Sequence, residues 1–149
     1  MKKIVLALAV AALGAMLVVG IGFGAVSSTY TLSAKLSAKQ EVPAPKGVPA
    51  AATGRFTGKL VGNKLTWKLT FKGLSSGTVG AHIHMGKAGK AGNVIVVLCP
   101  AACKSGKTGT TTVKKDVRDA IERNGTYVNV HTKKNPGGEI RGQVKATKS

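Results

Sequence analysis

Apolar and polar residues alternate with a period of two over most of the chain after residue 27. Between Leu65 and Phe71, for example, apolar residues take every second position, and Thr66, Lys68 and Thr70 take the positions between them. Successive side chains of a β-strand point to opposite faces, so this pattern predicts strands with one face in a core and the other in water.

The same pattern recurs in about eight short segments separated by turns. One short helix is predicted near residues 113–124, because apolar residues from Val113 to Ile121 recur at helical spacing and Gly125 is placed to end the helix. We therefore expect an all-β fold, an antiparallel sandwich or barrel of Greek-key type. The predicted strands lie within residues 30–38, 54–61, 64–71, 79–85, 93–98, 107–113, 125–132 and 138–146.

The first 27 residues differ from the rest of the chain. Lys2 and Lys3 are followed by an uncharged, mostly apolar run, which is typical of a secretory signal peptide. The run from Ile4 to Val26 is also long enough to span a bilayer. We expect a signal peptide or N-terminal membrane anchor over residues 1–27 and one β domain over residues 28–149. Either way the domain would be extracytoplasmic: secreted, periplasmic or at the cell surface.

Cys99 and Cys103 are the two cysteines of the chain. In an exported protein two neighbouring cysteines favour a disulfide, and two thiolates alone are too few for a four-thiolate zinc site. We expect a bond that fixes a local turn.

The chain carries 23 Lys and Arg residues against 5 acidic ones, a formal net charge of +18. Such a surface attracts polyanions, so anionic cell-envelope polymers or a membrane surface are the expected partners. Specific nucleic-acid binding is not expected, because single-strand readers need aromatic stacking platforms and this chain has few aromatic residues. The sequence indicates no protein partner.

The stretch "VGAHIHMG" contains His82 and His84, which share one face if the segment is a strand. In "TYVNVHT" the residues Tyr127, Asn129 and His131 share a face in the same way. If these two strands are neighbours, three imidazoles meet, and three nitrogens with an open position suit copper or zinc. Copper is our first choice of metal and zinc the second. The alternative is that the histidines only form hydrogen bonds across the sheet.

Glu139 and Arg141 share a face of the segment "GGEIRGQV", where their opposite charges suit an ion pair. A hairpin through "KKNPGG" would also bring Glu139 close to His131, where the carboxylate could orient the imidazole. A purely structural role for both residues, and for Tyr127 and Asn129, is the other interpretation.

Signatures of catalysis are absent from the sequence. No serine lies in a nucleophile elbow, and no pair of acidic residues has the pattern of a glycosidase dyad. We therefore predict no catalytic residues.

The segments "KQEVP", "GAHIHMGKAGKAG", "YVNVHT" and "PGGEIRGQV", in this order, resemble the CHRD domain, first described as a repeat in chordin. The resemblance covers about residues 30–146. It implies an extracytoplasmic antiparallel β fold and carries over His82, His84, His131, Glu139 and Arg141 as one site or one structural cluster. The "HIHMGKAG" loop lacks the proline usual in the family, and the "CPAAC" insertion is not general.

Three functions stay open on the sequence. The first is an exported, non-enzymatic binding domain whose three histidines hold copper or zinc. The second is a copper-dependent oxidoreductase similar to the dismutases, which also place an HxH pair on a β-strand. The third is a structural or cell-envelope module that binds polyanions through its basic surface.

Overall fold

The computed structural model describes residues 27–149. Within this range the chain forms nine strands, one α-helix and a single 3₁₀ turn. The strands are β1 (Thr29–Ser37), β2 (Thr53–Val61), β3 (Lys64–Lys72), β4 (Thr78–Met85), β5 (Val94–Cys99), β6 (Lys107–Thr112), β7 (Thr126–Thr132), β8 (Ile140–Gln143) and β9 (Lys145–Lys148), with α1 at Lys115–Glu122 and the 3₁₀ turn at Ala38–Gln40.

The strands form one antiparallel, nearly closed, barrel-like sheet in the order β5-β4-β7-β8-β1-β2-β3-β6, and β9 pairs with β1 beside this path. Neighbours that are distant in sequence, such as β4 and β7 or β3 and β6, give the Greek-key character. The predicted all-β fold is confirmed.

The alternating pattern fills the interior of the sheet. Leu65 and Leu69 on β3 are fully buried, whereas Lys64 and Lys68 of the same strand are exposed. Buried side chains of β1, β2, β3, β4, β5, β7 and β8 form a single hydrophobic core, which includes Phe56 and Trp67. Burial of these residues is the main favourable contribution to folding.

The helix is shorter than predicted. It starts at Lys115, because Val113 still belongs to the sheet edge, where its N–H donates to the carbonyl of Asn63 at 2.9 Å. Its end differs too. Asn124, not Gly125, takes the left-handed conformation with φ 57°, and the N–H of Gly125 then donates to the carbonyl of Ala120. Asparagine tolerates this conformation better than most residues.

The last predicted strand is two strands. β8 pairs with β7, and β9 pairs with β1. Val144 lies between them with its side chain in the core, and its N–H donates to Thr126 at 2.9 Å.

The predicted disulfide is present, between Cys99 and Cys103, whose Cα atoms lie 5.8 Å apart. It closes the turn after β5, and the hydroxyl of Thr78 at the start of β4 bonds to both the N–H and the carbonyl of Cys103.

The predicted signal peptide or anchor, residues 1–27, lies outside the described residues except for Ser27. In the described part of the chain, no helix has the length and apolar character needed to cross a membrane.

Candidate metal centre

The two histidine-bearing strands are direct neighbours. β4 and β7 pair antiparallel, with His82 opposite Asn129, His84 opposite Tyr127 and Gly80 opposite His131. The register is irregular between Thr78 and Gly80. This pairing satisfies the condition on which the sequence prediction depended.

The core-facing positions of these strands are apolar. Ile83, Val128 and Val130 have no exposed surface, so the three histidines share the outer face. Ring centroids lie 4.9 Å apart for His82 and His131, and 5.7 Å apart for His84 with either neighbour. One nitrogen from each ring lies within 4.8 Å of the others.

The outer face of β4 and β7 is covered, unlike a simple water-facing sheet surface. His84 and His131 are buried and His82 is partly exposed. Two loops cover the face: the glycine-rich loop, residues 86–93, and the β7–β8 loop, residues 133–139. Every residue of β7 is buried. The histidines therefore lie in a layer between the sheet and these loops.

Each loop supplies one backbone carbonyl to one imidazole. Nδ1 of His84 lies 2.9 Å from the carbonyl of Gly92, and Nδ1 of His131 lies 2.9 Å from the carbonyl of Pro136. A carbonyl oxygen can only accept, so Nδ1 carries the proton in both rings and Nε2 keeps its lone pair. This is the usual way in which outer groups fix the tautomer of a metal-binding histidine.

The remaining nitrogens have no partner. Nε2 of His84, Nε2 of His131 and Nδ1 of His82 are all buried without a hydrogen bond. Buried polar atoms are almost always paired, so three such atoms in one cluster make this cluster a candidate ligand site.

The histidines are held in the neutral form. Burial, together with the neighbouring His131 and His84, lowers the pKa of His82 from 6.5 to about 4. Burial also lowers the pKa of His84 and of His131, more than their carbonyl hydrogen bonds raise it. Neutral imidazole is the form that binds a metal, so little proton release is needed at neutral pH.

Comparison with protein-family models gives one result. The model of the CHRD domain matches residues 32–144, about three quarters of the chain. The chain belongs to the CHRD family. Searches among curated proteins and among solved structures returned no match.

Arg141 holds the glycine-rich loop of the CHRD domain. Its Nη2 donates to the carbonyls of Lys87 and Lys90 at 3.0 and 2.9 Å. Its guanidinium carbon lies 3.4 Å from the ring centroid of Tyr127, and Tyr127 stacks on His84 with centroids 4.9 Å apart. The phenol oxygen also accepts from the N–H of Gly92 at 3.1 Å. Arg141 and Tyr127 thus fix the loop that orients His84.

Glu139 holds the other loop, and the prediction that its carboxylate contacts His131 is wrong. The carboxylate accepts from the hydroxyls of Ser75 and Thr132, from the N–H of Ser75 at 2.6 Å and from Nδ2 of Asn135 at 3.2 Å. Burial raises the pKa of Glu139, but these hydrogen bonds together bring it below its usual value. Glu139 acts on His131 through the β7–β8 loop, which presents the carbonyl of Pro136.

The predicted Glu139–Arg141 ion pair does not form, because the two charges serve different loops. Arg141 instead interacts electrostatically with Glu41, a residue that the sequence prediction did not place at the site. Nδ2 of Asn129 donates to the Glu41 carboxylate at 3.3 Å. Burial raises the pKa of Glu41 to about 7, against the lowering effects of Arg141, a backbone N–H and Asn129. Its place in the "KQEVP" segment was the one signal that could have identified it.

Proposed function

We propose that this protein is an exported CHRD binding domain that holds one copper ion through His82, His84 and His131, with zinc as the second choice. The observation that carries the proposal is the meeting of three imidazoles, each with one nitrogen within 4.8 Å of the others, in a cluster that contains three buried imidazole nitrogens without a hydrogen bond. The contacts of Arg141 and Glu139 hold the two loops that cover these histidines.

The geometry lies near that of a bound ion. Metal–nitrogen bonds of about 2.0–2.1 Å place ligand nitrogens roughly 3.3–3.6 Å apart. One nitrogen from each ring lies within 4.8 Å of the others. The rings therefore need only small shifts toward one another to bind a single ion. His82 is partly exposed and has no hydrogen bond to a loop carbonyl, whereas the other two rings are held by carbonyls.

The ligand set selects the class of metal. Calcium and magnesium require several oxygen ligands. Among the described residues, the cluster consists of three histidines and contains no carboxylate. Three neutral imidazoles suit copper and zinc. His82 is the partly exposed member of the cluster, so the fourth position of a bound ion would be approached from its side.

Two features support export. The N-terminal segment has the composition of a signal peptide or anchor. The disulfide between Cys99 and Cys103 fits an oxidising compartment.

The accessible fourth position also favours a second candidate function, a copper-dependent oxidoreductase. Redox catalysis needs a metal that substrate can reach, and the partial exposure of His82 provides such a route. Assays of superoxide and peroxide turnover on the copper-loaded protein test this alternative after metal binding is established.

The first experiment measures metal content. The purified protein and a His82→Ala/His84→Ala variant are loaded with copper or zinc, desalted and analysed by elemental mass spectrometry. A Lys68→Ala/Lys72→Ala variant is the matched control, because both lysines are exposed on another face. We expect stoichiometric metal in the parent and the control and none in the histidine variant, with nitrogen hyperfine structure in the copper spectrum. Absence of stoichiometric metal from the parent would overturn the proposal.

A further inference from the structure

The outer face of strands β1, β2, β3, β6 and β9 has a composition unlike that of any other surface of the molecule. We name these outward positions the basic face. Its cations are exposed, and every other outward position holds Thr or Ser, apart from Val61. The cations are Lys64, Lys68 and Lys72 on β3, Arg55 and Lys59 on β2, Lys35 on β1 and Lys145 on β9.

No acidic side chain lies on the basic face. Two of the five acidic residues, Glu41 and Glu139, are buried beside the metal centre, and the other three lie on the α1 segment. The ion pairs of Asp119 and Glu122 use Lys115 and Arg118 of the same helix. The cations of the basic face therefore lack a counter-charge within the described chain.

Several cations of the basic face lie opposite hydroxyls on the neighbouring strands, although Lys35 lies directly opposite Arg55. Lys59 lies opposite Thr66, and Lys68 lies between Thr57 on β2 and Thr108 on β6. Same-face neighbours along a strand are roughly 6.8 Å apart and adjacent strands about 4.8 Å apart. Lys59 and Lys68 therefore each have a threonine hydroxyl beside them on both adjacent strands.

Three shallow grooves lie on this face, and each combines cations with hydroxyls. The first lies between Lys59 and Lys68, the second between Arg55 and Lys72, and the third between Lys35 and Lys145. Thr or Ser side chains line all three. The grooves thus repeat one chemistry: at least two positive charges beside hydroxyl donors and acceptors.

We propose that the basic face binds a linear acidic glycan. The paired cations of each groove fit the carboxylate or sulfate groups that recur along such a chain, and the threonine and serine hydroxyls fit the hydroxyl groups of its sugar rings. The proposal is independent of the metal centre, because it uses different strands.

Two other polyanions fit the basic face less well. A face that lies on a lipid bilayer commonly inserts apolar side chains, and Val61 is the one apolar outward residue here. Single-stranded nucleic acid requires exposed aromatic platforms, and Trp67, the one tryptophan of the chain, is buried.

The test uses the full chain on dextran sulfate and on polygalacturonate, with neutral dextran as the reference polymer. Arg55, Lys59, Lys68 and Lys72 are changed to Gln together in the face variant. The matched control changes four exposed lysines elsewhere, Lys87, Lys90, Lys114 and Lys133, to Gln, so both variants lose equal charge. At about 0.15 M salt we expect the face variant to bind at least about tenfold more weakly and the control to bind nearly as well as the parent.

A third variant separates specific recognition from attraction by charge alone. Thr57→Val/Thr66→Val removes two hydroxyls of the first groove and changes no charge. We expect affinity for the glycans to fall about threefold to tenfold while the salt dependence stays unchanged. Equal weakening of both lysine variants, or an unchanged threonine variant, would overturn the proposal. So would tighter binding to phosphatidylglycerol vesicles than to either glycan, because the partner would then be a bilayer.

Discussion

The outer face of β4 and β7 and the basic face arise from the same alternating sequence pattern but have opposite environments. On β3, Lys68 and Thr66 project into water, whereas on β7 the outward Tyr127 and Asn129 are buried under loops. The difference lies in the loops. The 86–93 and 133–139 loops fold back over β4 and β7, whereas no loop within residues 27–149 covers the outer face of β2 and β3 in this way.

Covering a polar face costs free energy unless each group finds a partner. Outward side chains of β4 and β7 find such partners in loop carbonyls, loop N–H groups and loop side chains. The buried side-chain atoms without a partner are one nitrogen of each histidine together with Oε1 of Glu41, Oγ1 of Thr126, Oδ1 of Asn129 and Nη1 of Arg141. A covered polar face with a few free atoms indicates a binding site, and an open polar face of uniform charge indicates an interaction surface.

The largest expected effect follows from removal of the carboxylate that holds the β7–β8 loop. Glu139→Ala leaves donors of Ser75, Thr132 and Asn135 without an acceptor in a buried position. We expect a loss of about 3–4 kcal/mol in the free energy of unfolding, measured by urea denaturation. Lys68→Ala on the basic face is the control, and we expect it to change stability by less than about 0.5 kcal/mol. A small loss for Glu139→Ala would show that the loop folds without it.

The sequence predicted the strands and the shared face of His82 and His84, because both depend only on the alternation of side chains along a strand. The pairing of β4 with β7, which brings His131 to them, does not follow from alternation, and the sequence left it as a condition. It did not predict what holds the histidines. Arg141 reaches backbone carbonyls more than 50 residues away, and Glu139 reaches Ser75, which is 64 residues distant. Backbone carbonyls carry no sequence signature, so such contacts cannot be recognised from residue types. The inference from their opposite charges that Glu139 pairs with Arg141 was therefore wrong.

Weakening the support of the glycine-rich loop should change metal affinity more than stability. Arg141→Lys keeps the charge but loses the planar stack on Tyr127 and the paired bonds to Lys87 and Lys90. We expect copper affinity to fall about 10–100-fold, measured by competition with a chromophoric chelator, and the copper spectrum to change. The same substitution at Arg55, on the basic face, should leave both unchanged. An unaltered affinity for Arg141→Lys would mean that His84 is oriented without the loop.

The buried carboxyl of Glu41 should give the covered face a pH dependence. Its pKa is raised from 4.5 to about 7, so the folded state holds a proton that the unfolded state has lost. This stabilisation is complete below pH 4.5 and is lost as the pH rises to about 7. We expect Glu41→Gln to become progressively more stable relative to the parent across this range and to keep a constant difference above it.

The histidines have the opposite effect on the pH dependence of stability. Comparison of the parent with the Glu41→Gln variant removes their contribution. Their pKa values are lowered, from 6.5 to about 4 for His82, so they favour the folded state above pH 6.5 and this is lost as the pH falls. Because both chains contain the same histidines, the difference in unfolding free energy isolates Glu41. Metal-free protein in urea at a series of pH values gives the measurement. A difference that does not vary with pH would place the Glu41 pKa at its ordinary value.

The smallest expected effect tests how closely the covered face fits its histidines. Gly80 lies opposite His131, and a Cβ at Gly80 would lie 3.1 Å from Cε1 of His82. His82 is partly exposed, so its ring can shift by a few tenths of an ångström at little cost in stability. We expect Gly80→Ala to lower copper affinity about threefold to tenfold while the melting temperature changes little. Gly137→Ala is the control, because a Cβ there meets open space. If Gly80→Ala lowers the melting temperature and leaves copper affinity intact, His82 is a packing residue and the metal is held by other groups.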